Sequence, residues 1–326
     1  MAKDREKIAK RRARRRRRRL KLSVKIFIVF FIIILSCGAY AGFMYYQSKH
    51  MPDPNGKLEE MQGTPDSNYD LTDEVMPDAK YWVINVGRGE AIYIKCEQTD
   101  ILIDTGADKD AKAIIDEIKG EITGDLDYLI ITSLSDRRTG GFGAICENLK
   151  PASIITCALG DKEKEMRKAA GDCDLKEGGT TTIALTKNSS LSLFKPEVSS
   201  KDPLDQSLLT LFRYGATAFF AESDAGEEEE ARVIEQIDQC NALVLARGGS
   251  DQVNQHVNDI SCSTYIASCD KNAKPSSALI ENLKGSLFAT YQSGSMHFTT
   301  NGKDVTSNLD QSKQLKAEWT NRRIYH

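Results

Sequence analysis

The sequence predicts an α/β domain, mixed sheets with helices on their outer faces, preceded by one transmembrane helix. Three observations predict it. Residues 26–46 form a single apolar run without a charge. From residue 79 onward short β-type runs outnumber helical ones, and both kinds occur in each half, the pattern of sheets covered by helices. No internal repeat interrupts this alternation.

The chain opens with a basic segment, residues 1–25, that carries 14 Lys and Arg against Asp4 and Glu6. "IFIVFFIIILSCGAYAGFMYY" follows, 21 residues from Ile26 to Tyr46. At about 1.5 Å per residue this run spans a hydrocarbon core of roughly 30 Å. Tyr45 and Tyr46 fall where an interfacial aromatic belt belongs, and the positive-inside rule places the Arg block in the cytoplasm. The expected topology is a single-pass signal-anchor in the cell membrane, the main domain extracytoplasmic and the Arg block lying on anionic lipid headgroups. A cleavage site at Ala39-Tyr40-Ala41 and a lipobox at Ile34–Cys37 are the rival readings. The apolar run continues past both, which favours the uncleaved anchor, and all three put the body outside.

Residues 47–78 are rich in Pro, Gly, Asn and acids and lack an apolar period, so they read as an extracytoplasmic linker. The domain proper is expected over 79–303, with a tail over 304–326. It opens on three β-type runs, "YWVINVG", "EAIYIKC" and "TDILIDTG". Gly87 and Gly89 read as a hairpin turn and Asp104 as a brace for the turn after its strand. In "DKDAKAIIDEIKGEI" Ala111, Ile114, Ile115 and Ile118 fall at helical spacing, with Asp108 or Asp110 as the cap. "LDYLIIT" is a strand, "SLSDRRTGG" a polar loop, "GFGAICENLK" a short helix and "ASIITCAL" a strand. "EKEMRKAAGDCDL" reads as a helix, and "TTIALT", "SLSLFKP", "SLLTLFRYG" and "ATAFFAES" as a strand meander. "GEEEEARVIEQIDQC" is a helix whose first-turn acids suit the dipole. "NALVLAR", "STYIASC" and "SLFATYQ" are closing strands, with "PSSALIENLK" a helix among them.

Charge bounds the partners. Outside the basic segment remain 30 of the 44 basic residues against 45 of the 47 acidic ones, an acidic body unsuited to nucleic acid. Seven cysteines follow the apolar run, with no C-x-x-C pair and no metal-finger spacing,. One disulfide fits; a disulfide-stapled fold does not. Histidine occurs only at His50, His256, His297 and His326, never in an i, i+2 or i, i+4 pair.

"ITSLSDRRTGG", residues 131–141, is how a strand delivers a catalytic loop to a pocket mouth, yet it contains no histidine or cysteine. Six segments in order, "VINVGRGEA", "ILIDTG", "LDYLIITSLSDRRTGG", "SLLTLFRYGATAFFAESD", "LVLARGGS" and "SLFATYQSGSMHFTTNG", resemble the metallo-β-lactamase fold. Over residues 81–302 they are similar to the soluble C-terminal domain of the competence protein ComEC. The resemblance implies an αββα sandwich, and a hydrolase with two metal ions. Its H-x-H/D-x-D-H motif falls on Ser133, Ser135, Arg137 and Arg138. The metal-bridging Asp matches Asp224, and "GHHGS" becomes "ARGGS", putting Arg247 and Gly248 where histidines stand.

These seven positions are the candidate ligand pocket. A hydrolytic metal pair needs converging imidazole, carboxylate or thiolate donors with one position open for water. Three arginines instead bring fixed positive charge, and at about 4–6 Å each like-charge pair costs on the order of 1–4 kcal/mol. The expectation is a domain without metal cofactors, a pseudoenzyme that binds or scaffolds a protein or an anionic small molecule. The arginines serve either as an anion pocket, with "RTGG" and "RGGS" backbone N–H groups, or as partners of Asp136 and Asp224. The alternatives are a metal-dependent phosphodiesterase- or nuclease-like hydrolase with a rearranged site, and a ComEC-related DNA-uptake accessory.

Overall fold

The computed structural model describes residues 76–197, 202–249 and 254–316. They all fall within one compact unit, residues 61–326. The basic segment, the expected membrane span and most of the linker lie outside the described residues. Among those described, no helix is long and apolar enough to cross a membrane.

The first sheet starts as an antiparallel meander, β1 (Ala79–Val83), β2 (Ile92–Cys96) and β3 (Thr99–Ile103). Helix α1 (Ala111–Ile118) then crosses over to β4 (Tyr128–Ile131), which lies parallel to β3. A four-residue helix α2 (Asp136–Thr139) and α3 (Phe142–Leu149) lead to β5 (Ser153–Thr156), and α4 (Glu163–Ala170) to the edge strand β6 (Asp174–Glu177). Both additions are parallel.

The second sheet runs antiparallel through β7 (Thr181–Thr186), β8 (Ser189–Phe194), β9 (Leu209–Tyr214) and β10 (Thr217–Ala221). It continues parallel through β11 (Gln239–Val244), β12 (Ser261–Ala267) and β13 (Ser286–Ala289). Helix α5 (Glu227–Ile234) makes the first crossover and α6 (Ser277–Asn282) the last. After a short α7 (Thr290–Ser293), β14 (Met296–Thr300) returns to the first sheet beside β1, and β15 (Val305–Ser307) pairs with it.

Three apolar layers follow from strand alternation. Tyr81, Ile92, Ile94, Ile101, Ile103 and Ile130 of the first sheet meet Leu191, Phe212, Phe219, Val244 and Phe288 of the second in one core. The other face of the first sheet, Leu102, Leu129, Ile131 and Ile154, packs on Ala111, Ile114 and Ile118 of α1, Ile145 of α3 and Met166 of α4. The other face of the second, Leu211, Phe220, Leu243 and Tyr265, packs on Val233 and Ile234 of α5 and Leu279 of α6. The architecture is therefore αββα, the α/β class with outer helices that the sequence predicts.

Local departures have physical reasons. The polar loop after β4 contains α2, whose Gly140 N–H bonds back to the Asp136 carbonyl at 3.1 Å. The helix expected through Leu175 stops at Ala170, because Gly171 turns left-handed at φ +61°,. The following residues become β6. Asp110 does not cap α1; its carboxylate accepts from the Ala107 N–H at 2.9 Å. "SLFATYQ" is strand only to Ala289. Past residue 303, the expected start of the tail, β15 adds to the sheet and the Leu315 N–H donates to the Leu287 carbonyl at 2.8 Å.

Candidate functional site

The C-terminal ends of the parallel strands β3, β4, β10, β11 and β12 open onto one rim. In α/β sheets strand ends present loops that nothing in the sheet covers, and sites collect there. Asp104 follows β3, Thr132 and Ser133 follow β4, Asp224 follows β10, Arg247 and Gly248 follow β11, and Ser268 follows β12. Glu90 arrives from the β1–β2 hairpin. Here the Gly89 backbone packs so closely that an added Cβ would stand 2.6 Å from the Arg137 carbonyl oxygen.

The centre of the rim is a guanidinium. Arg138 is 3% exposed. Its Nη1 donates to Glu90 Oε1 and to Asp104 Oδ2, both at 2.7 Å, and its Nη2 donates to Asp224 Oδ1 at 2.9 Å. All three carboxylates are buried. Asp104 holds a left-handed backbone at φ +61° and turns its side chain toward β4. There it accepts from the Thr132 N–H at 2.8 Å and the Thr132 hydroxyl at 2.6 Å. So Asp104 does more than brace its own turn: it joins two strand ends to the central cation.

The electrostatics are asymmetric. Burial alone would raise Asp224, but Arg138, Arg137 and a Ser133 hydrogen bond outweigh it and hold the carboxyl at about 2. Burial pushes Asp104 up to about 7 against the pull of Arg138, with Glu90 adding to the rise. Burial likewise raises Glu90. Burial disfavours a charged Arg138, yet its three carboxylates more than compensate and keep it protonated. The cluster is a permanent Arg138–Asp224 pair beside two carboxyls that hold protons more readily than free ones.

The structure brings the sequence-predicted residues together around this pair. Ser135 donates its hydroxyl to Asp224 Oδ2 at 3.1 Å, and Ser133 lies buried at the end of β4. Arg137 Nη2 stands 3.9 Å from Asp224 Oδ1, with the side chain over a third exposed. Arg247 adopts φ +52°; its Nε donates to the Asp224 carbonyl at 3.1 Å, and its Nη groups engage Asp202 and Asp205. Gly248 is required by space, since at φ +69° an added Cβ would stand 2.8 Å from the Ser268 carbonyl oxygen.

Two expectations change here. Asp136 is no partner of the arginines: it points outward and pairs with Lys162 at 3.0 Å. Arg138 and Arg247 are consumed by carboxylates and offer no free charge. The open donors are Arg88, which is exposed and forms no ion pair among the described residues, and Arg137. Together with Glu90, Asp224, Gly248 and Ser268 they line a narrow cleft of about 10 Å³, room for about one water molecule.

Sequence reasoning missed Glu90 and Arg88. One signal was present: an acid between Gly89 and the apolar "AIYI" run is poorly placed for solvent and must find a partner indoors. Neither histidine among the described residues enters the cluster: His256 meets Asp259 at 3.0 Å, and His297 stacks on Trp82 at 4.0 Å and meets Glu117 at 2.9 Å. Among the described residues no group of three or more His, Cys, Asp or Glu side chains is placed to hold a metal ion.

No family profile matches the chain, and no curated protein matches it. Among solved structures it is similar to the metallo-β-lactamase fold protein YhfI from Bacillus subtilis, at 9% identity and TM-score 0.47 over 65% of this chain and 96% of that one. It is similar to a metallo-β-lactamase from Cronobacter sakazakii, at 13% and 0.39 over 51% and 77%. It is also similar to a variant of CmlA β-hydroxylase, at 11% and 0.47 over 70% and 54%, so that it spans about half of that protein. These likenesses concern the fold alone.

Proposed function

We propose that this chain is a membrane-anchored, extracytoplasmic metallo-β-lactamase-like domain that has exchanged its metal ions for an arginine. In this reading it serves as a non-catalytic binding or scaffolding module. One observation carries the reading: Arg138 donates to Glu90, Asp104 and Asp224 at once, at 2.7, 2.7 and 2.9 Å. These residues do not fit the two metal ions of the resembled family. No imidazole or thiolate is among them, the carboxylate oxygens nearest the centre are already committed, and a divalent ion would stand beside a guanidinium that stays protonated,. With Arg138 consumed, recognition falls to the cleft rim, where Arg88 and Arg137 suit a carboxylate or phosphate group.

Elemental analysis of the purified full chain tests this directly. The expected result is less than a tenth of an equivalent of zinc, manganese or iron after equilibration with each ion and desalting, the threshold being set at about one site in ten. Stoichiometric metal, lost on Asp224→Asn, overturns the reading in favour of a rearranged hydrolase. The anchor is tested separately by carbonate extraction and by protease protection of the Arg block, expected only in sealed right-side-out vesicles.

A further inference from the structure

The cleft does not account for the cysteines. β11 and β12 run parallel and in register, and one step of that register sets Cys240 opposite Cys262. Neighbouring strands lie about 4.8 Å apart, inside the roughly 4.4–6.8 Å that a disulfide allows between Cα atoms. Register partners point their side chains to the same face, here the outer one, where both join the apolar layer beneath α5 and α6. Each is the second residue of its strand, where the ladder is least restrained. Both are buried, at 6% and 9% exposed, so the oxidant reaches them through local opening at the strand starts. Cys262 Sγ donates to the Thr264 carbonyl at 3.2 Å, and the nearness of the two thiols pushes Cys240 up and Cys262 down. No other two cysteines among the described residues are register partners.

We propose that Cys240 and Cys262 are a modification site, a dithiol that closes reversibly into a disulfide bridging β11 and β12. The oxidant is a small-molecule or protein disulfide, such as oxidised glutathione. The Cys262 thiolate attacks one sulfur of that disulfide and expels the other as a thiolate. Cys240, giving up its proton, then attacks the mixed disulfide at Cys262 and expels the second thiolate. Two electrons pass to the oxidant, and two protons end on the released thiols. β11 runs on into Arg247 and Gly248, and β12 into Ser268, so the bridge ties together the two strands that deliver one wall of the cleft. The inference does not depend on what the cleft binds.

The test uses the folded full chain carrying Cys269→Ala, reduced with dithiothreitol and equilibrated with oxidised glutathione. Trypsin cuts after Arg232, Arg247 and Lys271 and so separates Cys240, in 233–247, from Cys262, in 248–271. The expected product joins these two peptides, disappears on reduction, and is absent from Cys240→Ala and Cys262→Ala. Thermal unfolding should shift upward on oxidation in the parent and not in either variant. Both thiols remaining free for alkylation in excess oxidised glutathione would overturn the proposal. So would a Cys146–Cys173 bridge forming in preference, or a 240–262 bridge that forms only in denaturant.

Discussion

At the residue scale the molecule turns on Arg138. A guanidinium presents five donors in a rigid planar fork, which is why one side chain reaches Glu90 and Asp104 through Nη1 and Asp224 through Nη2. Breaking a buried pair leaves uncompensated charge and costs about 3–5 kcal/mol, so Arg138→Ala should lower the unfolding free energy by that order, read by urea titration. Arg138→Lys should recover only part of the loss, because a single ammonium cannot span both branches. The same logic gives a second readout. Carboxylates freed of their guanidinium become hard oxygen donors, so millimolar-range manganese or magnesium should raise the urea midpoint of Arg138→Ala while leaving the parent unchanged. An equal response in both chains would remove the case for Arg138 as the resident cation.

At the element scale, α2 and the two glycines after it hold Arg138 in place. Gly141 lies where an added Cβ would meet the Thr105 carbonyl oxygen at 2.4 Å and Ala111 Cβ at 3.1 Å. The strand end that carries Asp104 and the start of α3 therefore pack backbone to backbone. Gly141→Ala should destabilise by about 1–3 kcal/mol through forced displacement and loosen the Arg138 contacts. Gly143, exposed inside α3, has only Ala169 Cβ at 3.9 Å nearby. Gly143→Ala should be neutral or stabilising by up to about 1 kcal/mol, from helix propensity alone. Parallel thermal denaturation of the two variants checks the contrast; equal losses would show that packing at the paired glycines is not what places α2.

At the scale of the whole molecule, buried acids set the pH response. Burial raises Glu222 well above its ordinary value, with Glu230 adding to the rise. Burial lifts Glu230 to about 7 against the backbone N–H groups of Gln255 and His256, and Asp104 also sits at about 7. Raised carboxyls bind protons more tightly folded than unfolded, so their stability contribution is complete below the ordinary carboxylate range and is lost as pH climbs through 7. Asp224, held at about 2, works in the opposite sense, contributing above its ordinary value and losing that contribution as pH falls toward 2. The urea midpoint should thus peak near pH 4, decline as pH climbs to 7 and beyond, and decline again in strong acid,. Glu222→Gln should flatten the alkaline limb and Asp224→Asn the acid one. A midpoint that rises from pH 5 to 8 would contradict this assignment.

The sequence by itself determined the layers and the gathering of the rim. Continuous apolar runs such as "ILI" and "LII" call for strands covered on both faces, the 3.6-period of "AIIDEI" supplies a helix to cover one, and a chain has few ways to bury them. Ser133, Ser135, Arg137, Arg138, Asp224, Arg247 and Gly248 were legible through the resemblance to the metallo-β-lactamase fold, whose ligand motifs fall on these positions in the segments after β4, β10 and β11. What only the tertiary structure decided is how those charges are shared. Arg137 and Arg138 are indistinguishable neighbours in sequence, yet one faces the cleft and the other lies under three carboxylates drawn from β3, β10 and the β1–β2 hairpin. Glu90 and Asp224 are 134 residues apart in the chain and meet only at that guanidinium. Coulomb energy and desolvation depend on separation and burial, and neither quantity exists until the sheets have closed.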